Sequence, residues 1–266
     1  MIRAHVAGVG VLAPGVNGWE QARAHFTGLQ PWTNSAMAKP NADLLAPTER
    51  RRATEATRCV LHVGEQALTA AQLDHASVKT VFATVSAASE ISHQICEALA
   101  RSERDVSPTK FHNSVHNAPI GYWAIATQCR MASTALACFE GSFAAGLLEA
   151  AAQVAAESTP VLFISCDPPH CAPIQHEHPI TATCAIALVL TPEAGDGDLA
   201  RIELSLEPLV RRSTMRVETP GVPDFLADNP TGAGLPLLQA LASDAPSTLT
   251  LPYLETLRLR VDSFPC

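Results

Sequence analysis

The sequence predicts an α/β fold of stacked layers, and three observations carry that prediction. Strand-like and helix-like patterns alternate along the chain, as they do where helices cover a sheet. Two segments, PVLFISCD (Pro160–Asp167) and TATCAIALVLTP (Thr181–Pro192), are apolar at almost every position, like strands buried on both faces. The 266 residues are 47 % hydrophobic and 17 % charged, enough apolar material for a sizeable core.

The elements follow in order. AHVAGVGVLAPG (Ala4–Gly15) alternates β-branched and small residues and breaks at Pro14–Gly15, so it reads as a strand entering a turn. A short helix is predicted from Asn17-Gly18-Trp19-Glu20 to about Thr27, then a loop rich in Pro and Asn. Pro47-Thr48-Glu49 reads as the cap of one long helix reaching about Ala71, with Ala53, Ala56, Val60, Val63, Ala67 and Leu68 on one face. VKTVFATVSA (Val78–Ala87) is the next strand, and Glu90–Arg101 the next helix. A polar stretch opens at Ser107-Pro108-Thr109 and contains FHNSVHNAPIGYW (Phe111–Trp123). A helix is predicted over Tyr122–Cys129, a strand over Ala132–Ala137, and a long helix after Cys138. The two apolar strands flank a loop at 170–179, and GDGDLARIELSLEP (Gly195–Pro208) adds a turn and a strand. The run ETPGVPDFLADNPTGAG (Glu218–Gly234) reads as loop, followed by one helix (Gly234–Ser243) and one strand (Leu254–Val261). No internal repeat and no low-complexity tract is apparent.

The net charge of −8 argues against nucleic-acid binding as the main role, and ERRR (Glu49–Arg52) is too short to track a phosphate backbone. An acidic total still permits a local basic patch for an acidic partner such as a carrier protein. The N-terminus lacks the apolar run and flanks of a signal peptide. The most apolar window, Ala132–Ala155, is broken by Glu140 and Glu149 and reads as a core helix, so no membrane association is expected. Eight cysteines without a C-x-x-C pair fit free thiols in a reducing cytoplasm.

Cys138 is the residue that raises a chemical question. A cysteine at a helix N-terminus has its thiolate stabilised by unpaired N–H groups and the helix dipole, and such a turn can form an oxyanion hole. Glu140 in the first helical turn suits the dipole, but its charge opposes a nearby thiolate. Acyl transfer also needs a proton shuttle, and the histidines available are His112, His116, His170, His176 and His178, all in predicted loops. Cys138 is therefore either a packing or relic thiol or an acyl carrier. His112-x-x-x-His116 and Cys171-x4-His176-x-His178 have partial metal-ligand spacing, but Asn113, Asn117 and Pro119 oppose a regular helix and no cysteine pair completes the second set, so no metal is expected. Gly8-x-Gly10 lacks the third glycine and the acidic residue of a dinucleotide fingerprint; its small residues suit a close approach of layers. Ser86 and Ser114 lack a G-x-S-x-G context.

Several of these segments together resemble the β-ketoacyl synthases, the condensing enzymes of fatty-acid and polyketide synthesis. VAGVGVLAPG followed by WEQARAHFTGL resembles their first strand and helix, and ERRRATEATRCVLHVGEQAL their next long helix. Ala137-Cys138-Phe139-Glu140-Gly141, with Gly146 following, resembles the A-C-x-x-G pattern around their active-site cysteine. HPITATCAIALVLTP resembles the strand closing the first half of the fold. The resemblance covers residues 1–192. It implies a single thiolase-like domain over 1–266, layered α/β/α/β/α, with the N-terminal half nearly complete and 193–266 a short remnant of a truncated second half.

The second half of such enzymes brings two histidines in H-G-T-G-T-like and N-x-F-G-F-G-G-like motifs. Here nothing after His178 is a histidine and neither motif occurs. The resemblance is then to the short ketosynthase-like proteins of aryl-polyene-type pathways and to the chain length factor of type II polyketide synthases. It implies a non-catalytic subunit that pairs with an active ketosynthase, or with itself, and acts on an acyl chain held by an acyl carrier protein, with no cofactor. By the same resemblance FHNSVHNAPIG lies at the dimer seam, although an ordered loop with its polar groups satisfied fits the same residues. Phe111, His116, Asn117, Trp123 and Phe139 are the expected tunnel or interface residues. The strand near Ala132–Leu136 is expected to pair across the dimer. The alternative is a stand-alone acyltransferase or thioesterase using Cys138.

Overall fold

A computed structural model describes residues 1–86, 88–209 and 221–266. In chain order the elements are β1 (Ile2–Ala13), β2 (Val16–Asn17), α1 (Trp19–Phe26), α2 (Pro47–Arg52), α3 (Glu55–Ala70), β3 (Lys79–Ala83), α4 (Ser89–Ala100), α5 (Pro108–Asn113) and α6 (Ala118–Thr127). They continue with β4 (Ser133–Leu136), a 3₁₀ turn (Phe139–Gly141), α7 (Ser142–Glu157), β5 (Val161–Asp167), α8 (Ala172–Gln175), β6 (Cys184–Thr191) and β7 (Ala200–Pro208). Two further 3₁₀ turns (Asp224–Leu226 and Pro230–Gly234) precede α9 (Leu235–Leu241), β8 (Ser247–Leu254) and β9 (Leu257–Pro265). Ala87 of VKTVFATVSA and Glu218, Thr219 and Pro220 of the expected loop lie outside the described residues.

One sheet runs β4-β3-β5-β6-β1-β7-β9-β8, with β2 paired to β1. β3 is parallel to β4 and β5, and the other pairings are antiparallel. β5 shows why its sequence is continuously apolar. Leu162, Ile164 and Cys166 face a core shared with Val60, Val63 and Trp123, while Phe163 faces the opposite core with Phe143 and Leu147. Helices thus cover both faces, α3 and α6 on one and α7 and α9 on the other. Small residues in β1 let α3 approach closely, as the sequence suggested: a Cβ on Gly10 would stand 2.0 Å from the Val63 carbonyl oxygen.

Residues after Thr191 extend this sheet, since β7 pairs with β1 and carries β9 and β8 beyond it. The eight strands laid flat would hold β4 and β8 roughly 34 Å apart at about 4.8 Å per strand. Yet Gly141, just past β4, packs so tightly on β8 that an added Cβ would lie 2.0 Å from the Tyr253 carbonyl oxygen. The sheet is therefore strongly curled, and its far edge folds over the N-terminal end of α7. The described residues build helices, one sheet and helices, closed by that curled edge.

Four local expectations need correction. The long helix from Pro47 is two helices. Ala53 is extended (ψ 130) and Thr54 caps α3, its hydroxyl accepting the Thr57 N–H at 3.2 Å. The strand expected at Leu254–Val261 is instead a hairpin turning at Glu255-Thr256. Pro252 disguised β8, but a proline is tolerated on an edge strand. α6 starts at Ala118, before the expected Tyr122, because Pro119 sits in its first turn, where a missing N–H costs nothing. The polar stretch from Ser107 forms α5, which carries Phe111 and His112 and ends at Asn113, so His112 and His116 do not share a helix.

Candidate functional site

The parallel strands β3, β4 and β5 end on the same side, and the connections leaving them build the site, where crossover α/β sheets place their ligands. β4 leads through Ala137 into Cys138, half-buried, with φ −135 and ψ 39. Phe139 then takes a left-handed φ of 49, and its ring is 70 % exposed. The sequence placed Cys138 at the start of the long helix. The 3₁₀ turn Phe139–Gly141 intervenes, and α7 begins at Ser142. Ser142 locks the turn. Its Oγ accepts the Cys138 N–H at 3.0 Å and donates to the Phe139 carbonyl at 2.6 Å, while the Gly141 N–H bonds the Cys138 carbonyl at 3.0 Å.

A cavity of about 250 Å³ opens beside this elbow. Phe139 and Glu140 form one wall, His170, Glu177, His178, Pro179 and Ile180 another, and residues 227–230 with Ala233 a third. Glu140 Oε1 lies 4.0 Å from His178 Nδ1. His170 is only 6 % exposed, and its Nδ1–H donates to the His178 carbonyl at 3.0 Å. That bond fixes the tautomer, and Nε2 has no hydrogen-bond partner among the described residues.

Beneath the cavity lies a buried polar network. Asp167, the last residue of β5, accepts from Thr84 Oγ1 (2.9 Å) and the Val85 N–H (2.7 Å) on one oxygen and from Thr231 Oγ1 (2.8 Å) on the other. Ser165 Oγ donates in turn to Thr231 Oγ1 at 2.7 Å, since the Thr231 proton is committed to Asp167. Asn229 Nδ2 bonds the Asp167 and Ala182 carbonyls at 3.0 and 2.9 Å. Its Oδ1 accepts the Thr231 and Gly232 N–H groups. Burial pushes the Asp167 carboxyl above its ordinary range, opposed by these donors and by nearby His170. The network clamps the C-terminal segment onto the ends of β3 and β5.

Of the expected site residues, Cys138 and Phe139 belong to this elbow. Phe111 (68 % exposed), His116 and Asn117 are exposed at the α5–α6 corner, and none of them lines the cavity. Trp123 leaves the surface set: it is 1 % exposed, packed against α3 beside His75 (ring centroids 6.1 Å apart). Its burial follows from α6 lying flat on α3, which the loop-like reading of its N-terminal flank concealed. His112 sits edge-on to Tyr122, and His176 is exposed on the short α8 turn. Among the described residues no group of three or more His, Cys, Asp or Glu could hold a metal ion, and no helix is long and apolar enough to cross a membrane. Sequence reasoning missed His170, Asp167, Asn229 and Thr231 as a set. The legible signals were an aspartate closing an otherwise apolar strand and the Asn-Pro-Thr-Gly capping pattern.

A family model described as the N-terminal domain of β-ketoacyl synthases matches residues 19–250, continuing past Pro192. A search of curated proteins finds no match. Among solved structures, one described as "Ketosynthase (ApeO) in Complex with its Chain Length Factor (ApeC) from Xenorhabdus doucetiae" aligns with TM-score 0.75 at 19 % identity, covering 98 % of this chain and 100 % of the matched one. "The ishigamide ketosynthase/chain length factor" aligns with TM-score 0.75 at 13 % identity over 100 % and 99 % of the two chains. "AntDE:AntF (apo): type II PKS acyl-carrier protein in complex with its ketosynthase bound to the hexaketide" aligns with TM-score 0.75 at 12 % identity, again over 100 % and 99 %. At such identities these likenesses show the shared fold.

Proposed function

Because the chain belongs to the β-ketoacyl synthase family, matched through its N-terminal domain, we propose that it is a non-catalytic, chain-length-factor-like subunit. It pairs with an active β-ketoacyl synthase in polyene or polyketide (fatty-acid-like) assembly on an acyl carrier protein. The observation that carries this reading is the state of the elbow. The Cys138 N–H, the nucleophile position's own backbone donor, is already bonded to Ser142 Oγ at 3.0 Å and so is not free for an oxyanion. The carboxylate of Glu140 follows two residues on, where it opposes a thiolate. The structural neighbours are ketosynthase and chain length factor complexes that this chain matches over their whole matched chains.

The two edges of the sheet support a partner at β4. On β8, Pro252 and the register shift beside it blunt the edge against pairing. β4 (STAL) has no proline, charge or bulge, and exposed Met131 and Phe139 flank it. Its outer backbone groups and apolar rim fit a strand of the partner ketosynthase, continuing one sheet through both subunits. The free cysteines fit a reducing cytoplasm.

The test is co-expression with a ketosynthase from the same genome, followed by size-exclusion chromatography and product analysis with an acyl carrier protein. A one-to-one complex is expected, and Ser133→Pro, at an exposed residue whose N–H points away from β3, should abolish it while leaving the chain folded. Phe139→Ala should lengthen the products. No complex, or an unchanged product profile, would overturn the reading.

One observation favours a second reading as an acyltransferase or thioesterase: His170 and His178 face the cavity that Phe139 and Glu140 wall. It predicts a mass adduct on Cys138 when the protein alone meets an acyl-carrier thioester, lost in Cys138→Ala. Without an adduct, Cys138 is a relic.

A further inference from the structure

We propose that His25 is a pH-operated clasp: its protonated ring ties the turn after β1 to the loop after α1, and so holds one wall of the groove between residues 34–37 and 181–183. This does not rest on the partner reading, because every group involved belongs to this chain.

The two ring nitrogens of His25 face two carbonyl oxygens. Nδ1 lies 3.1 Å from the Gln30 oxygen and Nε2 lies 3.2 Å from the Gly15 oxygen. A carbonyl oxygen only accepts, and a neutral imidazole has one N–H and one bare lone pair. The neutral ring therefore makes one of these bonds and turns its lone pair on the other oxygen. The imidazolium donates from both nitrogens and makes both. Trp32 points the same way. Its indole stacks on His25, with ring centroids 5.3 Å apart and planes 22° from parallel, and the face of an indole attracts a cation. The indole is itself held: Nε1–H donates to the Pro14 carbonyl at 2.9 Å, and Phe26 packs on it edge-on.

Both oxygens sit on anchored backbone. The Gln30 N–H bonds the Ala24 carbonyl at 3.1 Å, and the Gly15 carbonyl also accepts from Gln21 Nε2 at 3.3 Å. Little charge competes for the ring, since His25 enters no ion pair among the described residues. On α1 the other charged groups are Glu20 and Arg23, and β1 carries Arg3 and His5 at its far end. Residues 14–17, residues 28–38 and α9, the other segments beside α1, carry none. Asp224 stands on the 3₁₀ turn across the groove, and His62 lies behind Asn17, 2.7 Å from its Oδ1.

Residues 31–37 form no helix or strand, and His25 and Trp32 tie them to the turn after β1. Residues 34–37 wall a groove of about 500 Å³ together with Pro14, Pro169 and residues 181–183. Because the charged ring is the one that fits, the clasp is whole below about pH 6.5, the ordinary histidine value, and loosens as pH rises above it.

The test uses a local reporter, because protonation of His62 acts on the whole fold. The full chain, labelled with ¹⁵N-tryptophan, is followed by hydrogen exchange of its three indole N–H groups at pH 6.0 and 8.5, as protection factors corrected for intrinsic exchange. Trp32→Phe assigns the Trp32 signal. Its protection is expected to be at least three-fold higher at pH 6.0, while buried Trp123 shows no such rise. A smaller difference on the unmodified protein overturns the proposal. His25→Gln should remove the difference and His62→Gln should keep it. A difference that survives a folded His25→Gln, or that disappears in His62→Gln, also overturns the proposal.

Discussion

Phe139 is held at a φ of 49, a region that costs a bulky L-residue about 1–3 kcal/mol. Its ring is largely in solvent and recovers little of that cost. Phe139→Gly is therefore expected to stabilise the isolated chain by about 1 kcal/mol, read as a higher urea midpoint. Trp123 is the opposite case, a fully packed ring, and Trp123→Ala should lower stability by about 3–5 kcal/mol. Calorimetry on the isolated chain would register that loss without any partner present. His62 supplies the pH dependence. Burial lowers its pKa from the ordinary 6.5, while its Nδ1 accepts the Asn41 N–H at 3.1 Å and its Nε2–H reaches Asn17 Oδ1 at 2.7 Å. The unfolded chain takes up this proton first as pH falls. The His62 contribution is thus complete above about pH 6.5 and is lost as pH drops toward the folded value. Urea unfolding at pH 7.5 and 5.5 should show that loss, and His62→Gln should reduce it. At this scale Cys138 was legible from Ala-Cys-x-x-Gly. His170 was named only as one of five loop histidines, because its bond to the His178 carbonyl and its place beside wall residues near 230 are connected by no local pattern.

Helices and strands were legible where one force dominated and misread where two competed. β5 and β6 are apolar on both faces and could only be central. Between Pro47 and Ala71 the apolar periodicity runs on, but the Thr54 hydroxyl captures the Thr57 N–H and starts a new helix. Thr54→Ala should remove that cap and cost about 1 kcal/mol in chemical denaturation. The C-terminal hairpin was misread because Pro252 argues against a strand in general and is harmless on an edge. Whether a strand is an edge depends on the pairing order, which no single segment reveals. The β4 edge was named in advance through the family resemblance. Its lack of protection against pairing became visible only beside the blunted edge of β8.

At the level of the whole molecule, the class of fold was readable and its closure was not. Alternation and buried runs gave α/β layers, but nothing local tells residues after Thr191 to lengthen the existing sheet and fold its edge over α7. The contact between Gly141 and Tyr253 marks that closure. Gly141→Ala would push a methyl group into the Tyr253 carbonyl, and overpacking of this kind should cost about 1–3 kcal/mol. Amide shifts in β8 should move together with those of the 3₁₀ turn. A variant whose turn moved while β8 stayed unperturbed would show that the two are not coupled.

The curl also sets a timetable for biosynthesis. A ribosome delivers the chain from its N-terminus, so β4, the elbow and α7 emerge long before the strand that seats them. Until β8 arrives, the apolar flank of α7 stays uncovered on a nascent chain whose β1 must await both β6 and β7. The Cys138 elbow therefore waits, from its own synthesis until β8 emerges, without the strand that seats it, and chaperone capture should act most strongly on chains stalled between α7 and β8.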